Sequence, residues 1–263
     1  MNEITQIRKL SLWIFIIPFV SINFCLFIST YHHLFENTFL VVDPIGRSYG
    51  FPIPYFDGSL SISRASRTFP QFLIFKPAMI FTAILLYYYW KKNNELINNL
   101  KFSKINYKFK TFGILSAIFL AIHSIFLGIK FDIQIYKLLR RVVLLLFIIF
   151  EIIAQGILVY HFYKLKKKLS EFVNKKILIL KIVLVSVLAT VAVLSLPLLI
   201  NKGNIHFKHA LEWNYFIGVI LFYLYFFGSN FIFFFQGDAA FHNSSKIANL
   251  FCFYPRGSNS NDY

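Results

Sequence analysis

Charge is scarce in this chain of 263 residues: 14% are Asp, Glu, Lys or Arg, and only 11 are acidic. An ordinary soluble domain carries about 25% charged residues, so this composition, with 57% hydrophobic residues, excludes one. Cysteine is scarcer still. Cys25 and Cys252 are the only two, with no Cys-x-x-Cys between them, which excludes a disulfide framework and leaves both as free thiols. The chain also lacks a G-x-S-x-G elbow, a Walker loop and an H-E-x-x-H pair, so no soluble-enzyme motif is present.

What the chain has instead is long apolar runs, with Phe alone contributing 34 residues. A spanning helix needs about 20 mostly apolar residues. Such runs lie at 10–30, 72–90, 111–129, 142–163, 177–200 and 213–235. They are continuous in apolar residues rather than alternating, which points to helices and against a barrel, because a helix satisfies its own backbone groups in hydrocarbon. The expectation is an all-α fold: one membrane domain of six transmembrane helices with a long ordered first outer loop, 31–71. The first run follows Arg8 and Lys9 as a signal peptide would. It is too long for one and no small-x-small site follows it, so it is read as a retained span.

A net charge of +16 would suggest nucleic acid in a soluble protein, but here the basic residues sit between the apolar runs. Topology accounts for them, and no nucleic-acid partner is expected. Lys91, Lys92, Lys101, Lys104, Lys108 and Lys110 fill the second gap, and Lys164, Lys166, Lys167, Lys168, Lys175 and Lys176 the fourth. Those gaps face the cytoplasm by the positive-inside rule. Both termini, including a short tail at 236–263, are then cytoplasmic. The first, third and fifth gaps are outer and less basic for their length, although the third carries the Arg140–Arg141 pair. The sequon at Asn243 falls on the cytoplasmic side and is expected to stay unmodified.

Pro18 and Pro77 interrupt two spans and Pro197 a third, where kinks are expected. Gly113, Ala117, Ala121 and Ser124, at steps of four, four and three, place small side chains on one face for close helix packing. Lys181, about one turn inside its span, is expected to snorkel towards the headgroups. The outer loop is rich in Pro, Gly, Ser and aromatics, with turns at Pro52, Pro54 and Asp57–Gly58. That composition suits an ordered cap with room for a short strand pair.

Polar residues at membrane depth each require a reason, because a charge at mid-bilayer costs about 2.5–3.5 kcal/mol on insertion scales. Glu151 stands near the middle of the fourth run, with Gln155 one turn later on the same face, and His123 lies in the outer third of the third run. Two roles are open for Glu151: a proton relay or headgroup ligand, and a neutral acid hydrogen-bonded to Gln155. His206, His209 and Glu212 follow one another at steps of three and are zinc-ligand types. The spacing is unspecific, and neither a metal nor a cofactor is expected. Ser59, Ser61 and Ser63 with His32, His33, His206 or His209 and Asp57 or Glu212 supply the residue types of a nucleophilic triad, yet turn serines have that composition too.

Two segments carry a resemblance. Ile62-Ser63-Arg64-Ala65-Ser66-Arg67-Thr68-Phe69-Pro70-Gln71, just before the second run, resembles the Ile-Ser-x-x-Gly-x-x-x-Pro-Glu segment of a six-span family. That family comprises the damage-regulated autophagy modulators and the post-GPI-attachment fatty-acid remodelling proteins. Glu212-Trp213 is similar to the family's Glu followed by an aromatic at the last span. Ile62, Ser63, Pro70 and Glu212 are the residues that transfer, while Ser66 replaces the family's Gly and Gln71 its Glu. The resemblance implies a multi-pass protein of the Golgi, endoplasmic reticulum, lysosome or plasma membrane, acting in lipid or GPI-anchor remodelling or membrane organisation. Membrane lipids would be its partners. Ser63, Arg64, Arg67, His209 and Glu212 are then the expected outer site for a lipid headgroup, since arginine suits phosphate. A small proton-coupled transporter using Glu151, Gln155 and His123, and a non-catalytic scaffold presenting its lysine-rich face, are the alternatives.

Overall fold

The computed structural model describes residues 2–48, 50, 52–99, 108–129, 134–165, 175–200 and 203–234. Among them there is no strand. Six long helices carry the fold: α1 (Asn2–Thr30), α4 (Phe72–Asn99), α5 (Lys108–Phe126), α6 (Gln134–Leu165), α7 (Lys175–Ile200) and α8 (Ile205–Phe234). Two short ones, α2 (Pro54–Asp57) and α3 (Ile62–Ser66), lie in the first loop. Segments 3–30, 72–99, 108–126, 138–164 and 175–195 are long and apolar enough to cross a membrane by length and composition. Such an architecture is compatible with a multi-pass membrane protein.

Most of the long helices extend past the apolar runs that announce them, although α5 stops at Phe126, short of the run's end at 129. α4 continues through Lys91–Asn99, where Lys92 and Glu95 pair at 2.8 Å and Asn93 is buried with its amide on the Tyr89 carbonyl. α8 begins at Ile205, two turns before the apolar run, and α6 at Gln134. Hydrophobicity marks where lipid would be; backbone hydrogen bonds and neighbouring packing decide where a helix stops. α1 and α4 run through Pro18 and Pro77 without ending.

The six helices close into a ring: α1 packs on α4, α4 on α5, α5 on α6, α6 on α7, α7 on α8 and α8 back on α1. The expected small-residue seam lies between α4 and α5. A Cβ on Gly113 would run into the Trp90 ring, and Ala117 and Ser124 are buried. Lys181 departs from expectation: it is 4% exposed, with Nζ 4.2 Å from the centre of the Phe222 ring on α8. Its position on the α7 face that meets α8, not its distance from the helix end, decides this, and the aromatic face replaces water as partner.

The first loop folds as an ordered cap over one end of the ring, but from short helices and turns instead of strands. Two 3₁₀ turns, His32–Phe35 and Pro44–Gly46, precede α2 and α3. Pro54 starts α2 with its fixed φ, and Gly58 ends it in the left-handed region at φ 58°. Gly58 also lets the loop touch the His206 carbonyl, where any Cβ would collide. Ser61 caps α3 by accepting the Arg64 amide at 3.1 Å. The lysine-rich ends of the helices lie at the opposite end of the ring. Cys25 is buried and free, its Sγ 3.5 Å from the Gln71 carbonyl. Lys166–Lys168, the 236–263 tail, Cys252 and the Asn243 sequon lie outside the described residues.

Candidate functional site at the capped end

The cap is fastened to α8 by three groups a helical turn or less apart. His209 Nδ1 lies 2.9 Å from the Gly58 carbonyl, Glu212 Oε1 accepts the Ser63 amide at 3.3 Å, and the Trp213 indole donates to the Leu60 carbonyl at 2.7 Å. Glu212 also serves the Ile62 amide, so its carboxyl closes the N-terminal turn of α3. Burial pushes this carboxyl up to about 7, against the pull of the Ser63 and Ile62 amides. Beside it Asn214 donates to the Tyr55 carbonyl at 2.8 Å, and Tyr55 in turn donates to Asn23 on α1 at 2.9 Å.

The far side of the cap is held by the segment that closes with Pro70 and Gln71. The Phe69–Pro70 peptide is cis, and Pro70 is buried. Ser66 is fully buried, its hydroxyl donating to the Ile62 carbonyl at 2.7 Å within α3. The Gln71 carboxamide is fully buried as well, 3.2 Å from both the Thr68 and Ser29 hydroxyls. The amide accepts from one hydroxyl and donates to the other, which an ionised carboxylate could not do, and it buries no charge.

Arginines crowd the remaining face. Arg64 is exposed and donates through Nε to the Ile45 carbonyl at 2.9 Å, while Arg67 is half-buried. Its backbone carbonyl faces Gly128 after α5, where φ is 82° and an added Cβ would stand only 2.7 Å from that oxygen. Arg140 reaches over from α6, with Nη2 3.5 Å from the Ser63 hydroxyl and its guanidinium 6.0 Å from the Tyr136 ring. Burial, then the charges of Arg140 and Arg64, push the Arg67 guanidinium below its usual value.

Of the expected site residues, Ile62, Ser63, Arg64, Arg67, Pro70, His209 and Glu212 all lie in this capped layer. Ser63 touches both Glu212 and Arg140; His209 and Glu212 are occupied with cap carbonyls and amides. Among the described residues no serine of the loop is hydrogen-bonded to a histidine, and no three His, Cys, Asp or Glu stand close enough to hold a metal ion. Arg140 entered the sequence reading only as a topology charge. Its adjacency to Arg141 in a gap expected to be outer, where positive charge is disfavoured, is the one signal in the sequence.

Glu151 and Gln155 do meet, in the middle of the ring, and both are fully buried. Gln155 donates to the Glu151 carboxyl at 3.0 Å, Ser116 of α5 donates at 2.5 Å, and Tyr223 of α8 donates to it too. The Trp90 indole of α4 lies beside it, and the Tyr223 carbonyl accepts from Ser11 of α1. His123 is elsewhere: it lies against α6 at Arg140, seven residues beyond Ser116 and so about 10 Å farther along α5. No family model, curated protein or solved structure matches this chain.

Proposed function

We propose that this is a six-span membrane protein that handles lipid or glycolipid headgroups at its capped end. One observation carries the reading. The two segments with a family resemblance, 149 residues apart in sequence, touch through Ser63 and Glu212, with Trp213 and Leu60 beside them. Segments far apart in sequence, both expected at the outer end, are joined at one place, beside three arginines.

In this reading α8 is the sixth span, the lysine-rich ends and both termini are cytoplasmic, and the cap faces the lumen of an endomembrane compartment or the cell exterior. His209, Glu212 and Trp213 hold the cap; Ser63, Arg64 and Arg67 present it to the ligand. The family resemblance supports lipid or GPI-anchor remodelling, or membrane organisation, as the process served. The test is lipid profiling of cells lacking the chain and re-expressing it. Arg67→Ala and Glu212→Ala should both leave membrane insertion intact and fail to restore the wild-type profile. Full restoration by both variants removes the proposal.

A further inference from the structure

The arginines of the capped layer form a cluster of like charge with no counter-charge among the described residues. Arg67 is half-buried, and its guanidinium makes no hydrogen bond among those residues. Arg140 spends one nitrogen on the Ser63 hydroxyl, while its Nε is shielded from solvent and has no hydrogen-bond partner. Arg64 commits only Nε, to a carbonyl. The carboxylates that could neutralise them are engaged elsewhere or exposed. Glu212 serves the α3 amides, Asp57 the Ile53 and Ser59 amides, Glu36 stands 3.8 Å from Arg47, and Asp43 points to solvent. None of the four is paired with Arg64, Arg67 or Arg140.

Like charges held together at the edge of a low-dielectric layer raise one another's free energy, and an anion among them reverses the sign of that term. The planar fork of a guanidinium fits two oxygens of a phosphate at once, and a seryl hydroxyl supplies a neutral donor. We infer that Arg67 and Arg140, with Arg64 at the rim and the Ser63 hydroxyl, bind a phosphate-type anion, borne by a phospholipid headgroup or free in solution. The inference deepens the proposed lipid role and rests on it for the lipid source, but the anion site itself stands on the arginines. It adds Arg140, from a different helix, and leaves Glu212 and His209 as positioning residues that hold α3 in place.

Two probes separate the sources. The full-length chain in detergent is titrated with inorganic phosphate by calorimetry; in phosphatidylcholine nanodiscs with and without phosphatidic acid, retained lipid is read by native mass spectrometry. Binding of phosphate alone assigns a free anion, and retention of phosphatidic acid assigns a headgroup. Arg67→Ala and Arg140→Ala should each weaken whichever probe binds by about tenfold or more, and Arg140→Lys by less, because it keeps the charge and loses the fork. Arg47→Ala, whose side chain serves Glu36 and the Val42 carbonyl elsewhere in the cap, should change nothing. Arg67→Gln and Arg140→Gln keep side-chain bulk and serve if the alanines fail to fold.

Binding of neither probe, or equal binding by a folded variant lacking both arginines, overturns the site. Asp132 lies outside the described residues and is the one acid of the α5–α6 connection. Asp132→Asn should leave affinity unchanged; a gain of about tenfold would mean that its carboxylate already satisfies the arginines, and would also overturn the site. An unaltered cellular lipid profile alongside phosphate binding in vitro removes the lipid role and leaves the site. The converse removes the site alone.

Discussion

Among the described residues, Glu151 and Glu212 are each held by several hydrogen bonds, and they are held in opposite ways. Glu151 is fully buried at the centre of the ring and takes its hydrogen bonds from side chains on α5, α6 and α8. Glu212 is half-buried in the capped layer and takes its hydrogen bonds from backbone amides of one five-residue helix. The first joins long helices to one another. The second joins a loop to a helix, at an edge where water can still reach. A buried carboxyl with donors on three helices ties those helices together, whereas an amide latch can open locally without unfolding anything else.

The largest expected effect tests the first half of that contrast. Glu151→Ala leaves the Tyr223 hydroxyl without an acceptor, while Ser116 and Gln155 keep only the Gly113 and Val219 carbonyls. With about 1–3 kcal/mol for the unsatisfied group and a cavity beside it, a loss on the order of 2–4 kcal/mol is expected. Thermal unfolding in detergent would read it. A variant as stable as the wild type would mean that the central cluster joins nothing.

Glu212 is expected to act through pH. Its carboxyl titrates near 7 in the fold against 4.5 as the ordinary value, so between those pH values the folded chain holds the proton more tightly than the unfolded chain. Stability therefore falls as pH rises from about 4.5 to 7 and is regained on acidification. Allowing for its partial exposure, the change is roughly 1–2 kcal/mol. Glu212→Gln should flatten this dependence while keeping the cap closed, measured as melting temperature against pH and as proteolysis of the loop. An unchanged slope in the variant would assign it to another group.

The smallest effect concerns the neighbour of that latch. Trp213→Phe keeps the ring's apolar bulk and loses the hydrogen bond to the Leu60 carbonyl, at a cost of about 1 kcal/mol. It should appear as faster amide exchange in the cap and not as exposure of the ring of helices. Loss of exchange protection throughout the bundle would erase the distinction between the two regions.

Much of the bundle was legible in the chain because lipid-length apolar runs need no partner to be recognised. The Gly113, Ala117 and Ser124 seam was legible for the same reason, since helical pitch alone puts them on one face. The partner of that seam, Trp90, was not. Lys181 misled because position along a helix is visible in sequence but the direction it faces within a ring is not. The cap is recognisable as ordered from its prolines and Asp57–Gly58, and Pro54 and Ser61 start its short helices locally, while its docking on α8 through His209, Glu212 and Trp213 is something no local pattern encodes. In the sequence Arg140 is only a topology charge; the placement of α6 beside the cap is what brings it to Ser63.

By itself the sequence determined what is local and periodic: helices of bilayer length, basic ends, a turn-rich first loop and a scarcity of acids to neutralise 27 basic residues. Only the tertiary structure decided which acid goes where. Glu151 and Glu212 became a hub and a latch, and the arginines were left without either, because side-chain partners are set by which helix faces meet and that depends on the packing of the whole ring.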